Sequence, residues 1–313
     1  MLHLRVVNQP EHTEAVLRLL DECAGATHLV LLPGAGVRPQ GDVIEADVAR
    51  ESLDDLLAEL CELGIDHHGA ITLESIDTAL SDAADRAEAA APGEGADAVV
   101  WEELIARTGE ESRLNLTYLG FLTIACLLAA VGVITNSAVT IVGAMVVGPE
   151  FGPLAALAVG LVRRRWDLVR RASAALVFGF QFAVVITAGL AALGYAAGLF
   201  NESIMHSNHD VDFVFQVGPF SLIVALLAGA AGMLSLTSSK SAALVGVFIS
   251  VTTVPAAGYA ALALVLGEYG RAGQSGLQLL VNLAGIVLAA VLVLLLRNRQ
   301  SRRRGNGRPL AEG

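Results

Sequence analysis

The sequence predicts an α-helical polytopic membrane protein of six spans, arranged as two inverted three-span repeats with broken middle helices. An N-terminal α+β ferredoxin-like cytoplasmic domain precedes the spans. Three observations carry this reading. Apolar residues make up 54% of the 313 and charged residues only 16%, too few charges to coat a soluble globule of this size, which excludes an ordinary cytosolic enzyme. The net charge of −11 is a sum of unlike halves: residues 1–112 carry 24 Asp and Glu against 6 Arg, a net of −18, whereas the remainder is net +7. Finally, after Asn115 the chain turns into a series of long apolar stretches.

The first 76 residues read as a small domain. Leu2–Val7 is a β-prone run; after Pro10 comes a helix over Glu11–Cys23, with Val16, Leu19, Leu20 and Cys23 on one face. His28–Leu32 is an apolar strand closed by Pro33, Gly34 and Gly36, and Asp42–Val48 is the next strand. Ser52–Leu63 places Leu53, Leu56, Leu57, Leu60 and Leu63 at helical spacing and stops at Gly64, and a last strand covers Gly69–Ile76. This β-α-β-β-α-β order is the split unit of ferredoxin-like folds, which fits a regulatory or assembly role. Residues 77–114 form an acidic linker with a juxtamembrane helix over Val99–Arg107. His67 and His68 read as solvated turn residues. Cys23, Cys61 and Cys126 are too far apart for a zinc site or disulfide framework and read as small buried hydrophobes. Neither a metal nor a cofactor is expected, and neither is nucleic acid.

The six apolar stretches are Thr117–Thr135, Ala138–Leu161, Ala172–Gly198, Val217–Ser235, Ala242–Leu266 and Gly276–Leu296, each close to the roughly 20 residues that cross a hydrocarbon core of ~30 Å. They fill a transmembrane domain over residues 115–296, with a basic tail over 297–313. Arginines follow the second stretch (Arg163, Arg164, Arg165, Arg170, Arg171) and the sixth (Arg297, Arg299, Arg302, Arg303, Arg304, Arg308), which puts both termini in the cytoplasm of a bacterial or archaeal inner membrane. The opposite side receives Asn136 and Ser137, the acidic segment Asn201–Gln216, and Glu268–Ser275. In the second of these, His206, His209, Asp210 and Asp212 read as an ordinary solvated loop. Gln181 and Asn282, within spans three and six, are expected to hydrogen-bond between helices.

Sliding the membrane half against itself by 103 residues lays Thr135–Pro149 over Ser238–Thr252, with Gly143 on Gly246 and Val142 on Val245. Each copy holds three spans, so the second enters from the opposite side, the plan of many transporters. The middle span of each carries breakers: Gly148, Pro149, Gly152 and Pro153 in one, Pro255 and Gly258 in the other. Proline removes a backbone donor and frees carbonyls that lipid cannot satisfy, and the restarted helix aims a positive dipole end inward, so paired breaks mark a binding site near mid-membrane. The alternative is a pair of packing kinks. Glu150, between two prolines at membrane depth, reads as a proton or cation ligand, or as a carboxylate satisfied within the bundle. Lys240, the chain's one lysine, stands among Ser238, Ser239 and Ser241 at a helix start and reads as facing an anion or snorkelling to the interface. Thr252 and Thr253, just before Pro255, complete the candidate binding residues.

The run Gly143-Ala-Met-Val-Val-Gly-Pro-Glu-Phe-Gly-Pro153, with Ser241-Ala-Ala-Leu-Val-Gly246 followed by Pro255, resembles the two signatures of the prokaryotic uncharacterised-hydrophobic-domain proteins, domain-of-unknown-function family 389, over about residues 115–296. Glu150 stands where that pattern has an apolar residue, and Pro255-Ala256 where a double proline is frequent. The resemblance implies the architecture but no substrate. The expectation is a transporter or channel-like permease for a small polar, anionic solute or ion, embedded in the lipid bilayer and assembling as a homo-oligomer. A membrane-anchored ligand sensor or scaffold is the alternative. An intramembrane enzyme has no support from the motifs: HExxH, GxSxG and paired catalytic carboxylates are missing.

Overall fold

In a computed structural model, residues 1–76, 78–91, 99–202, 218–237 and 253–305 are described. The chain divides into two compact units, one made chiefly of Met1–Leu104, the other of Ile105–Leu236 and the helices that follow Thr253 up to Leu296.

In the first unit, β1 (Leu2–Asn8), α1 (Pro10–Glu22), β2 (Ala26–Val37), β3 (Gln40–Val48), α2 (Arg50–Glu62) and β4 (Ala70–Ser75) follow the predicted order. The sheet order is β2-β3-β1-β4 and every pairing is antiparallel. Alternation in β1 and β3 buries Leu2, Leu4, Val6, Ile44, Ala46 and Val48 against the apolar stripes of α1 and α2. Three local expectations need correcting. Strand β2 does not stop at Pro33 but runs on to Val37, because a hairpin partner is available in β3: Leu31 faces Ile44 and Gly36 faces Gly41. His67 and His68 belong to a short helix, α3 (Ile65–His68), started by Gly64 in the left-handed region. The linker also contains a helix the sequence reading lacked, α4 (Asp82–Ala90), capped by the Ser81 hydroxyl, which accepts from the N–H groups of Ala83 and Ala84. Of the cysteines, Cys126 is buried and Cys23 half-buried, but Cys61 is exposed, since its position on α2 faces away from the sheet.

One row of side chains crosses three strands: the imidazoles of His3 and His28 each place Nδ1 against the Asp47 carboxylate, at 2.8 and 2.7 Å, and Nε2 of His28 lies 2.8 Å from the Ser81 hydroxyl. Burial pushes the Asp47 carboxyl up, but the hydrogen bonds from His28 and His3 outweigh it and hold it below the usual range. A depressed folded-state value means that Asp47 contributes stability fully above its unfolded value of about 4 and loses it as pH falls through the folded value. Amide exchange in β1 and β3 should therefore accelerate through that acid window, and Asp47→Asn should flatten this dependence.

In the second unit, α5 (Trp101–Glu111), longer than the predicted linker helix, leads into α6 (Leu116–Ile134), α7 (Ala138–Val147), α8 (Phe151–Arg163) and α9 (Trp166–Ala196). After the segment 203–217 come α10 (Pro219–Leu236), α11 (Val254–Val265) and α12 (Tyr269–Gly305). Among the described residues, α6, α9 and Tyr269–Arg299 of α12 are each long and apolar enough to cross a membrane. The pair α7 and α8, bent by 51°, passes the same test as one broken segment, and α10 and α11 are shorter apolar helices. These apolar helices mark a membrane protein, with three such helices, or four with the bent pair, among the described residues.

Helix boundaries recur. Helices α6, α8 and α9 begin at Leu116, Phe151 and Trp166; α10, α11 and α12 begin at Pro219, Val254 and Tyr269. Each later start lies 103 residues beyond the earlier one, the separation that also divides Glu150 from Thr253. The turns between helices match in detail. Arg164 and Gly267 both adopt positive φ, 55° and 75°. The N–H of Arg165 donates to the Gly160 carbonyl as that of Glu268 does to Ala263, both at 2.9 Å.

Candidate functional site

The turn from α6 into α7 is built by two of the candidate residues. Asn136 takes a left-handed conformation that reverses the chain, and the Ser137 hydroxyl caps α7 by accepting from the N–H and hydroxyl of Thr140. These are capping tasks, and nothing in the described structure brings either residue to Glu150.

From that turn the ten residues of α7 carry the chain back about 15 Å, half of a ~30 Å core. There it breaks. Proline disfavours the helical region at the residue before it, and Gly148 stands at ψ 124° before Pro149, with α7 ending at Val147. The sequence reading made Pro153 and Pro255 breakers as well; both instead sit inside the first turn of a new helix, α8 and α11, where the missing N–H has no intrahelical acceptor to lose. The prolines start helices.

Both new helices start at the same place. Glu150 is the N-cap of α8 and Thr253 the N-cap of α11. Both are fully buried, and the Thr253 hydroxyl donates to Glu150 Oε1 at 2.6 Å. Neither side chain caps its own helix, so the first-turn N–H groups of α8 and α11 lie beside this contact with no cap from their own N-cap side chains. Two positive helix ends beside a carboxylate is a favourable arrangement for the ionised form, and it opposes a metal cation.

The surroundings set the spacing. Helix α11 packs on α6 and α9, and Gly258 permits the close approach: a Cβ there would stand 2.8 Å from Ala129 Cβ and 2.9 Å from the Cys126 carbonyl oxygen. On the α8 side, Gly152 lies against the end of α5, where a Cβ would meet Glu111 Cβ at 2.5 Å, so its small size serves this close approach. Tyr118 and Cys126, on α6, lie within electrostatic reach of Glu150. The Tyr118 ring packs over Gly179 of α9; the residue is 5% exposed, and its hydroxyl has no hydrogen-bond partner among the described residues.

A second polar cluster joins α10 to α12. The Ser221 hydroxyl donates to Asn282 Oδ1 at 3.0 Å, and the Gln278 amide reaches both Ser221 and Asn282. Ser275, one turn earlier, donates to the Ala256 carbonyl in the first turn of α11 at 2.8 Å. The expected hydrogen bonding of Asn282 is thus present, whereas Gln181 is exposed on α9. Ser221, Ser275 and Gln278 were missed; the spacing of Ser275, Gln278 and Asn282, on one helical face, was the signal that could have found them.

Ser238, Ser239, Lys240, Ser241 and Thr252 lie outside the described residues, as do His206, His209, Asp210 and Asp212. Among the described residues no group of three His, Cys, Asp or Glu converges as a metal site would require.

A buried polar contact between two helix starts, one of them at the break of the bent pair α7 and α8, inside a bundle of apolar helices belongs to the class of integral membrane proteins. A family model described as a domain of unknown function, DUF389, matches residues 145–288, a stretch that contains both Glu150 and Thr253. The chain is similar to the uncharacterized protein MJ0678 of the archaeon Methanocaldococcus jannaschii, at 24% identity over 195 residues, 62% of this chain and 58% of that relative's length. No solved structure matches.

Proposed function

We propose that this chain is a permease for a small anionic solute, built from two inverted three-span repeats, residues 116–202 and 219–305, with its binding site where α8 and α11 start. Six spans place both termini in the cytoplasm of a prokaryotic inner membrane, and the sheet domain regulates or oligomerises the permease.

One observation carries the reading: Thr253 follows Glu150 by 103 residues, the spacing that relates the starts of α6, α8 and α9 to those of α10, α11 and α12, and the two side chains touch. Two copies related by a two-fold axis bring a residue against its own counterpart only near that axis, which is where inverted-repeat transporters keep their sites. The matched pairs Tyr118–Gly179 and Ser221–Asn282, each in contact at that same offset, support the same relation. Lys240, the counterpart of Ser137 at the start of the other middle span, attracts the solute.

Flux of labelled small inorganic and carboxylate anions into proteoliposomes tests this. The wild type should transport at least one member of the set, Lys240→Ala should lose at least tenfold in rate, and Glu150→Gln should change the pH profile. No flux of any of them contradicts the permease reading, and unchanged flux in both variants rejects the two assignments.

A further inference from the structure

We propose that Glu150 is an internal anion that competes with the transported one, so that each anion bound is accompanied by one proton. This rests on the permease reading and names its coupling ion. When ionised, the carboxylate occupies the meeting point of the α8 and α11 starts and accepts from Thr253. When protonated, it no longer repels an anion, and a small monovalent anion takes the Thr253 hydroxyl from the carboxylate and adds the first-turn N–H groups that neither N-cap side chain caps.

Three features lead here. The donor set is that of an anion site: both helix ends present positive dipoles, and the Thr253 hydroxyl turns its hydrogen towards Glu150, whereas a sodium or magnesium ion needs several oxygens turned towards it. The buried Tyr118 hydroxyl has no hydrogen-bond partner among the described residues and lies within reach of the Glu150 charge, so a polar guest beside Glu150 has a donor waiting. Finally, Glu150 is fully buried at the start of α8, where neutralising the carboxyl is the inexpensive way to vacate the site.

Among the described residues, the other titratable groups leave this role to Glu150. From α6 the neighbours are Tyr118 and Cys126. From α5 Glu111 approaches Gly152 and pairs with Arg107 at 3.5 Å. Helix α7 has no titratable residue, α11 only Tyr259, packed with Ala130 and Leu262, and α8 only Arg163 at its far end. On α9 they are Asp167, Arg170, Arg171 and Tyr195, all near its ends. The proton enters with the anion from one aqueous face and leaves with it at the other.

The test is proton uptake by the purified full-length protein in lipid nanodiscs, in weak buffer, on titration with sodium chloride, nitrate or formate. The wild type should take up close to one proton per anion bound, with apparent affinity rising about tenfold per unit fall in pH above the carboxyl's own titration. Glu150→Gln should bind the same anion at wild-type low-pH affinity, with no uptake and no pH dependence; Glu150→Met, also uncharged, replaces it if the amide variant does not fold. Equal pH dependence in the uncharged variant, or no binding of any of the three anions by it, overturns the proposal. Proton-linked binding without vesicle flux would leave this inference standing and remove the permease reading. Flux with one pH profile in wild type and variant would do the reverse.

Discussion

Replacing Gly258 with leucine should drive α11 off α6 and abolish a monodisperse membrane unit. The atoms that a Cβ would meet are Ala129 Cβ at 2.8 Å, the Cys126 carbonyl oxygen at 2.9 Å and the Ala130 nitrogen at 3.1 Å, two of them backbone of a continuous helix that cannot step aside. Overpacking by a single methyl costs about 1–3 kcal/mol in a close-packed core, so alanine should lower the melting temperature measurably, and the four-carbon side chain should exceed what the bundle tolerates. Gly120, where an added Cβ meets nothing within 4 Å, supplies the contrast. Alanine there should stabilise α6 by up to about 1 kcal/mol through helix propensity alone. Thermal unfolding followed by size exclusion separates the two outcomes, and a well-folded Gly258→Leu protein would remove the α6–α11 packing described above.

Glu150→Lys should be the most damaging single charge change in the chain. An ammonium at that position would face the positive ends of α8 and α11 and the hydroxyl hydrogen of Thr253, in a site with no exposure. An unpaired buried charge of the wrong sign costs several kcal/mol, which is of the order of a whole domain's stability. Glu150→Gln keeps the shape and an acceptor for Thr253 and should fold. Comparing the yield and melting of these two variants separates sign of charge from loss of packing: equal damage in both would mean that Glu150 acts only as a space-filler.

Much of this was legible in the chain. Period-two alternation in Leu2–Val7 and the Leu53 to Leu63 stripe placed the sheet unit to within a residue or two, because each element there buries one face against the next. The hairpin extension of β2 past Pro33 was not legible, since it depends on a partner strand rather than on local preference. In the membrane half the 103-residue offset was visible only through small apolar residues, which align easily. Glu150 and Thr253 share no chemistry that would align them; the structure joins them because they occupy equivalent positions at the starts of α8 and α11. Proline was misread in one respect: Pro153 and Pro255 are restricted to the first helical turn, so they locate a start, and only Pro149, through Gly148, terminates a helix.

The two helix starts are joined through Glu150 and Thr253, and a double-mutant cycle of Glu150→Gln and Thr253→Val, read by equilibrium unfolding in mixed micelles, measures the strength of that link. A hydrogen bond to a buried carboxylate predicts a coupling of about 1–3 kcal/mol between the two substitutions. Additivity to within about 0.5 kcal/mol would contradict it.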